Sequence, residues 1–216
     1  MTRVMLRGVA LTFCFSMVGC SVLRPLPDRS RFFKLTAMSA TAADRQAADV
    51  PSAPALVYGL GPLKLPAYLD RNELATRVSP TEVTYSTTDR WAEPLATTFA
   101  AVLLQDLSVL LDTNHILAYP WPERVDYQIE VDVSQFDCDT SGNTRLVARW
   151  RVRDVHSDTY LVAKETTAAH SQAPGDNGAR VAALSDAMRD LSQDIADTLR
   201  HLPAPAAPPT SKSRRK

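Results

Sequence analysis

Glycine, histidine and cysteine are scarce in this chain: seven, four and three residues among 216. Each scarcity excludes something. Seven scattered glycines form no Gly-rich phosphate-cradling loop, and no nucleophile motif is present. His115, His156, His170 and His201 stand at spacings that no two metal ligands share. His156-Ser157-Asp158 holds the residue types of a hydrolytic triad. It falls in an expected hairpin turn, however, where sequence neighbours point apart, and a triad is defined by geometry. No apolar run reaches the roughly 20 residues that a membrane-spanning helix needs. These shortages argue against an enzyme, a metal site and a bound cofactor.

The first 19 residues have a different character. Arg3 and Arg7 precede a run of about ten apolar or small residues from Val9, and no acid is present. That is the pattern of a cleaved secretory signal. Its exit, Met17-Val18-Gly19-Cys20, resembles the bacterial lipobox, with Met17 standing where leucine is usual. The resemblance implies that the chain is cut before Cys20 and that Cys20 carries acyl chains, palmitate among them. About 0.8 kcal/mol per buried methylene makes several such chains a firm anchor. Ser21, where an aspartate tends to retain lipoproteins in the inner membrane, favours the outer one. Residues 20–30, with Arg24, Pro25 and Pro27, then form a short tether.

Cys14 leaves with the signal and Cys20 is modified, so Cys138 stands alone and no intramolecular disulfide is possible. Asp137 and Asp139 flank it, and their charge disfavours a reactive thiolate. Formal charge is zero, but unevenly spread. Setting aside the two basic residues of the signal and the four at the C-terminus leaves 18 basic against 24 acidic residues, a net of −6. Such a body is a poor match for nucleic acid. Residues 37–54 are rich in Ala, Ser, Asp and Pro and read as a flexible loop. Residues 203–216 read as a disordered Pro/Ala spacer ending in a basic cluster. That cluster could touch anionic headgroups or simply aid solubility.

A single domain is expected between the tether and the tail, over residues 31–202. Val125, Tyr127, Ile129, Val131 and Val133 alternate with polar residues, marking a strand with one buried face. After a turn at 139–143, Leu146, Ala148, Trp150 and Val152 do the same, and a third strand covers 160–169. If the first turn centres on Ser141–Gly142, Asp132 faces Arg151 and Glu130 faces Arg153, worth roughly 0.2–1 kcal/mol per pair. The arginine stripe could otherwise be an anion-binding face; pairing is the favoured reading. Earlier strands are expected at 31–36, 55–65, 73–77 and 82–85.

Helices are expected at 91–111, with Leu95, Phe99, Leu103, Leu107 and Leu110 on one face, and at 179–202, where Val181 to Leu202 step by three or four. Asp89 is the candidate N-cap of the first, and Pro94 fits its first turn. Asp106 and Asp112 read as solvated-face residues. The architecture implied is α+β, an antiparallel sheet with two long helices on one face.

Two stretches carry more than pattern: Leu65-Pro66-Ala67-Tyr68-Leu69-Asp70-Arg71 followed by Arg77, and Trp91-Ala92-Glu93-Pro94-Leu95. Together with the lipobox and the closing helix, they resemble the PqiC (YmbA-like) ABC-type transport auxiliary lipoproteins, the DUF330 group, from about Phe32 to Leu202. Phe33 stands where that family usually has tyrosine. The resemblance implies a non-enzymatic periplasmic lipoprotein at the outer membrane. Its implied partners are an MCE-family tunnel protein and an inner-membrane permease with its ABC components, in a system that moves lipid and supports membrane integrity. Ring-like self-association is also implied. An outer-membrane maintenance lipoprotein without a transporter is the alternative. The implied contact surface comprises Leu65, Pro66, Tyr68, Leu69, Asp70, Arg71, Trp91 and Glu93. On the competing reading Tyr68, Leu69 and Trp91 are core residues, Asp70 caps a turn and Glu93 serves the helix dipole.

Overall fold

The computed structural model describes residues 27–39 and 56–205. The signal, Cys20, the 37–54 loop but for its first three residues, and the tail beyond 205 lie outside them. Among the described residues, eight strands form one sheet and two helices cover it. The strands are β1 (Arg31–Phe33), β2 (Tyr58–Lys64), β3 (Glu73–Ser79), β4 (Glu82–Trp91), β5 (Ile116–Ala118), β6 (Tyr127–Asp139), β7 (Asn143–Asp154) and β8 (Thr159–Ser171). The helices are α1 (Leu95–Leu110), between β4 and β5, and α2 (Asn177–Leu199) at the end.

The expected meander of β6, β7 and β8 is present, and it is antiparallel throughout. Its register differs from expectation. Glu130 faces Arg151 and Asp132 faces Arg149, two positions from the expected pairing. Half of the shift comes from the turn, which centres on Ser141. The other half comes from a bulge at Ser134, between the Val133–Ala148 and Gln135–Val147 pairs. A bulge adds one residue to one strand and so reverses which side chains face inward. Alternation of buried Ile129, Val131 and Val133 therefore gives way to buried Phe136 and Cys138. The turn itself needs Gly142, whose φ is +88° and where a Cβ would meet Gln172 O at 2.1 Å.

The α+β class stands, but the sheet is mixed. β2 runs parallel to both β5 and β6, β3 runs parallel to β6, and β1 runs parallel to β4. Parallel neighbours need long crossovers, and the β3–β4 hairpin with α1 supplies one between β2 and β6. One edge of β6 bonds to β7. Its other edge is shared: β2 takes residues 127–132 and β3 takes Cys138 and Asp139. The sheet forks there, and the segment from Lys64 to Glu73 bridges the fork.

Core and elements follow the apolar pattern. Leu95, Phe99, Val102, Leu103 and Leu107 of α1 and Val181, Leu184, Met188, Leu191, Ile195 and Leu199 of α2 share one cluster with the inward residues of β6 and β7. Phe99 meets Phe136 edge-on at 5.3 Å. The N-cap of α2 is Asp176, whose side chain accepts from Gly178 N at 2.8 Å. Asp89 is not the cap of α1. β4 continues to Trp91, paired with β1, so the helix opens at Pro94 and Asp89 is a strand residue. Buried there, Asp89 accepts from Arg31 at 2.8 and 2.6 Å and from Asn177, tying β1, β4 and the start of α2 together. Asp106 also departs from expectation. It is 1% exposed, because it caps backbone rather than facing solvent: it accepts from Met38 N at 2.7 Å and from Ser192 Oγ at 3.2 Å. Asp112 is exposed.

Candidate functional site: a groove where two motifs meet

The Leu65–Arg71 and Trp91–Leu95 stretches, twenty positions apart, fold against each other. Pro66 stops β2 and leads into a one-turn 3-10 helix, Ala67–Leu69, closed by Leu69 N and Asp70 N donating to Pro66 O and Ala67 O. Further along, Trp91 N donates to Asn72 O at 2.6 Å and Ala92 N to Phe33 O at 2.8 Å. Between the two stretches lies an open groove of about 560 Å³, walled by Leu65, Pro66, Asp70 and Arg71 on one side and Pro94 and Leu95 on the other.

The residues of the implied contact surface divide into two sets. Leu69 and Trp91 are 5% and 6% exposed and belong to the core cluster. Pro66 and Leu65 are half-buried at the groove wall, while Asp70, Arg71 and Glu93 are exposed. Arg71 does not pair with Asp70. Its Nε lies 3.3 Å from Glu73, and its guanidinium sits 4.3 Å above the Tyr85 ring. Asp70, in the groove wall, and Glu93, exposed just before Pro94 of the other wall, have no ion-pair partner among the described residues.

Tyr68 anchors the bridge from below. Its hydroxyl donates to Asp137 Oδ2 at 2.6 Å, and Tyr85 Oη donates to the Tyr68 carbonyl at 3.0 Å. Burial, then the hydrogen bond to the Asp137 carboxylate, pushes the Tyr68 phenol well above its ordinary pKa. Asp137 is 3% exposed. It also receives Arg77 Nε at 3.0 Å, Arg77 Nη2 at 2.5 Å and Gln135 Nε2 at 3.0 Å. Thus an Arg77–Asp137–Tyr68 cluster fixes the fork, and through it the groove. Asp137 was not legible as a site residue. The signal was the break in alternation after Val133, which turns residue 137 away from the helices and under Tyr68.

No reactive constellation is assembled from the candidate chemistry. His156 Nε2 lies 2.8 Å from Asp126 Oδ1 and Asp158 Oδ1 accepts from Arg153 at 2.6 Å, so the histidine and aspartate of the candidate triad are engaged by other residues. His170 pairs with Asp190 at 2.8 Å. Cys138 is buried and free, and burial raises its thiol pKa. Among the described residues no cluster of three potential metal ligands occurs, and no helix is long and apolar enough to cross a membrane.

The architecture is a forked α+β sheet with a proline-walled groove where two motifs meet. Over residues 35–196 the chain matches the ABC-type transport auxiliary lipoprotein component family, and it belongs to that family. No curated protein matches it. Two crystal structures share the fold. One, of an uncharacterized protein, is 16% identical with a TM-score of 0.63, covering 79% of this chain and 98% of that one. The other, protein XCC0632 of Xanthomonas campestris, in the DUF330 group, is 14% identical with a TM-score of 0.64, covering 79% and 94%.

Proposed function

We propose that the protein is a non-enzymatic lipoprotein anchored through Cys20 to the periplasmic face of the outer membrane, acting as the auxiliary subunit of an ABC/MCE-type lipid transport system that supports membrane integrity. The observation that carries this reading is the meeting of the two family-like motifs in one groove. Residues far apart in sequence have no local reason to share a surface, and here the shared surface is open. Its proline walls are rigid and lose little entropy on binding, and exposed Asp70 and Glu93 with half-engaged Arg71 set charge at and beside those walls, where it governs specificity and association rate. The partner on this reading is an MCE-family tunnel protein or a permease component, and the surface it meets is Leu65, Pro66, Asp70, Arg71 and Glu93, held in place by Tyr68, Leu69 and Trp91.

The test is purification of the chain from membranes with its partners identified by mass spectrometry, for the native protein and for Asp70→Lys with Glu93→Lys. Recovery of permease, ATPase or MCE components with the native chain and their loss with the charge-reversed chain is the expected result. Recovery of the same partners with both refutes the groove as the contact surface. Absence of any transport component with the native chain refutes the transport role. The anchor has its own test: Cys20→Ala is expected to release the chain from membranes, and retention with the signal removed refutes lipidation.

A further inference from the structure

Phe32 is 65% exposed, the most exposed large apolar side chain among the described residues. It sits on β1, an edge strand bonded only to β4. Its neighbour Phe33 packs on the core, so the strand's alternation drives one ring inward and holds the other in solvent. On either side of Phe32, Arg29 and Lys34 are exposed and have no hydrogen-bond or ion-pair partner among the described residues. Of the other cations nearby, Arg31 is engaged by buried Asp89, and Arg90, in register beside Phe32, has acidic Asp28 and Glu73 within electrostatic reach. Asp28 is the one acid within residues 27–34.

We propose that Arg29, Phe32 and Lys34 rest on an anionic phospholipid surface and fix how the domain stands on its membrane. The inference rests on Cys20 being the anchored residue. Arg31 is eleven positions on from Cys20, a length of chain that spans at most about 40 Å, so β1 is the strand of the described sheet closest along the chain to the anchor. An exposed aromatic ring with free cations beside it matches the chemistry of that surface. Aromatic side chains favour the interface, and basic residues favour anionic headgroups. A single acyl-anchored point leaves a domain free to tumble, whereas a second contact at β1 sets its orientation.

The experiment reads burial of position 32 directly. Phe32→Cys and, separately, Val78→Cys are labelled with an environment-sensitive fluorophore on the lipidated chain in vesicles of phosphatidylethanolamine and phosphatidylglycerol; Cys138 is buried and Cys20 blocked. Val78 is 43% exposed and lies near the β3–β4 turn, five residues along β3 from Glu73, whose partner Arg90 pairs with Phe32, and so about 17 Å along the strand from that pairing. The label at 32 is expected to shift to the blue and resist an aqueous quencher, and the label at 78 to remain fully quenchable. Each basic residue strengthens such contact about fivefold, so Arg29→Glu with Lys34→Glu, which removes two cations and adds two anions, should lower the docking equilibrium constant at least about 25-fold. Vesicles of phosphatidylcholine alone should abolish the shift. Equal quenching at 32 and 78 in the anionic vesicles, or indifference to the two charge reversals, overturns the proposal. A hexahistidine ahead of Ser21 on chelating lipid supplies attachment without Cys20. Failure there condemns the β1 contact, whereas failure of Cys20 lipidation in cells condemns only the anchor.

Discussion

Replacing Arg77 by methionine should destabilise the domain by about 3 kcal/mol. Asp137 is almost wholly buried and accepts two hydrogen bonds from Arg77, one from Tyr68 and one from Gln135. Removing a charged partner from a buried pair costs roughly 3–5 kcal/mol, because the remaining charge is left uncompensated. The Arg77 side chain is 24% exposed, so water already screens part of the pair, and the lower end applies. Urea unfolding followed by circular dichroism measures it. With a slope of about 2 kcal/mol/M, the midpoint should fall by about 1.5 M at unchanged slope. Tyr68→Phe removes one hydrogen bond to the same carboxylate and should cost about 1.5 kcal/mol. Adding Asp137→Asn to Arg77→Met should recover part of the loss, since the unpaired charge goes with it. A midpoint shift below about 0.3 M for Arg77→Met, or strict additivity in the double variant, would refute the view that a desolvated ion pair locks the fork.

Asp89, held at a pKa of about 2 by hydrogen bonds from Arg31 and then Asn177, contributes stability that is full above the unfolded value of 3.8 and is lost as pH falls through about 2. An acid titration of Asp89→Asn followed by fluorescence should therefore lack that limb, and an unchanged acid limb would refute the assignment. Asp106 has the opposite sign: burial raises its carboxyl, so its ionisation weakens the fold as pH rises above about 4. Asp106→Asn should equal or exceed the native chain in thermal stability at pH 7, with an advantage that vanishes near pH 3; destabilisation beyond about 1 kcal/mol at pH 7 would contradict this. Gly59 leaves room for Trp121, whose ring would lie 2.6 Å from an added Cβ, so Gly59→Ala should cost about 1–3 kcal/mol by overpacking, read as a lower Tm.

Local pattern carried the reading a long way. The period of two in β6 and β7 and the three-four steps of α1 and α2 are intrinsic to each segment, and these elements lie where the pattern puts them. What escaped was non-local. β5 is three residues long, too short for periodicity to register. β4 reads as ending at Tyr85, but its pairing with β1 carries it to Trp91, and that extension removes Asp89 from the helix. Parallel partners leave no mark in either strand's own sequence, so an antiparallel sheet was the default. The groove was legible as two motifs, but not that Leu69 and Trp91 would turn inward while Asp70 and Glu93 stay exposed. Alternation cannot assign faces across a bridge that belongs to neither strand.

The shared edge of β6 also dictates an order of assembly. β6, β7 and β8 are joined by short turns, so their pairing closes small loops. β2 and β3 must wait for β6 across separations of 62 to 69 residues. Loop-closure entropy and contact order make such joins late. A chain emerging N-terminus first therefore presents β2, β3 and β4 before the strand that unites them exists, and the groove is among the last features to form. Pulse-labelled hydrogen exchange during refolding should protect the amides of β7 and β8 before those of β2, and simultaneous protection would mean that the fork closes in a single step.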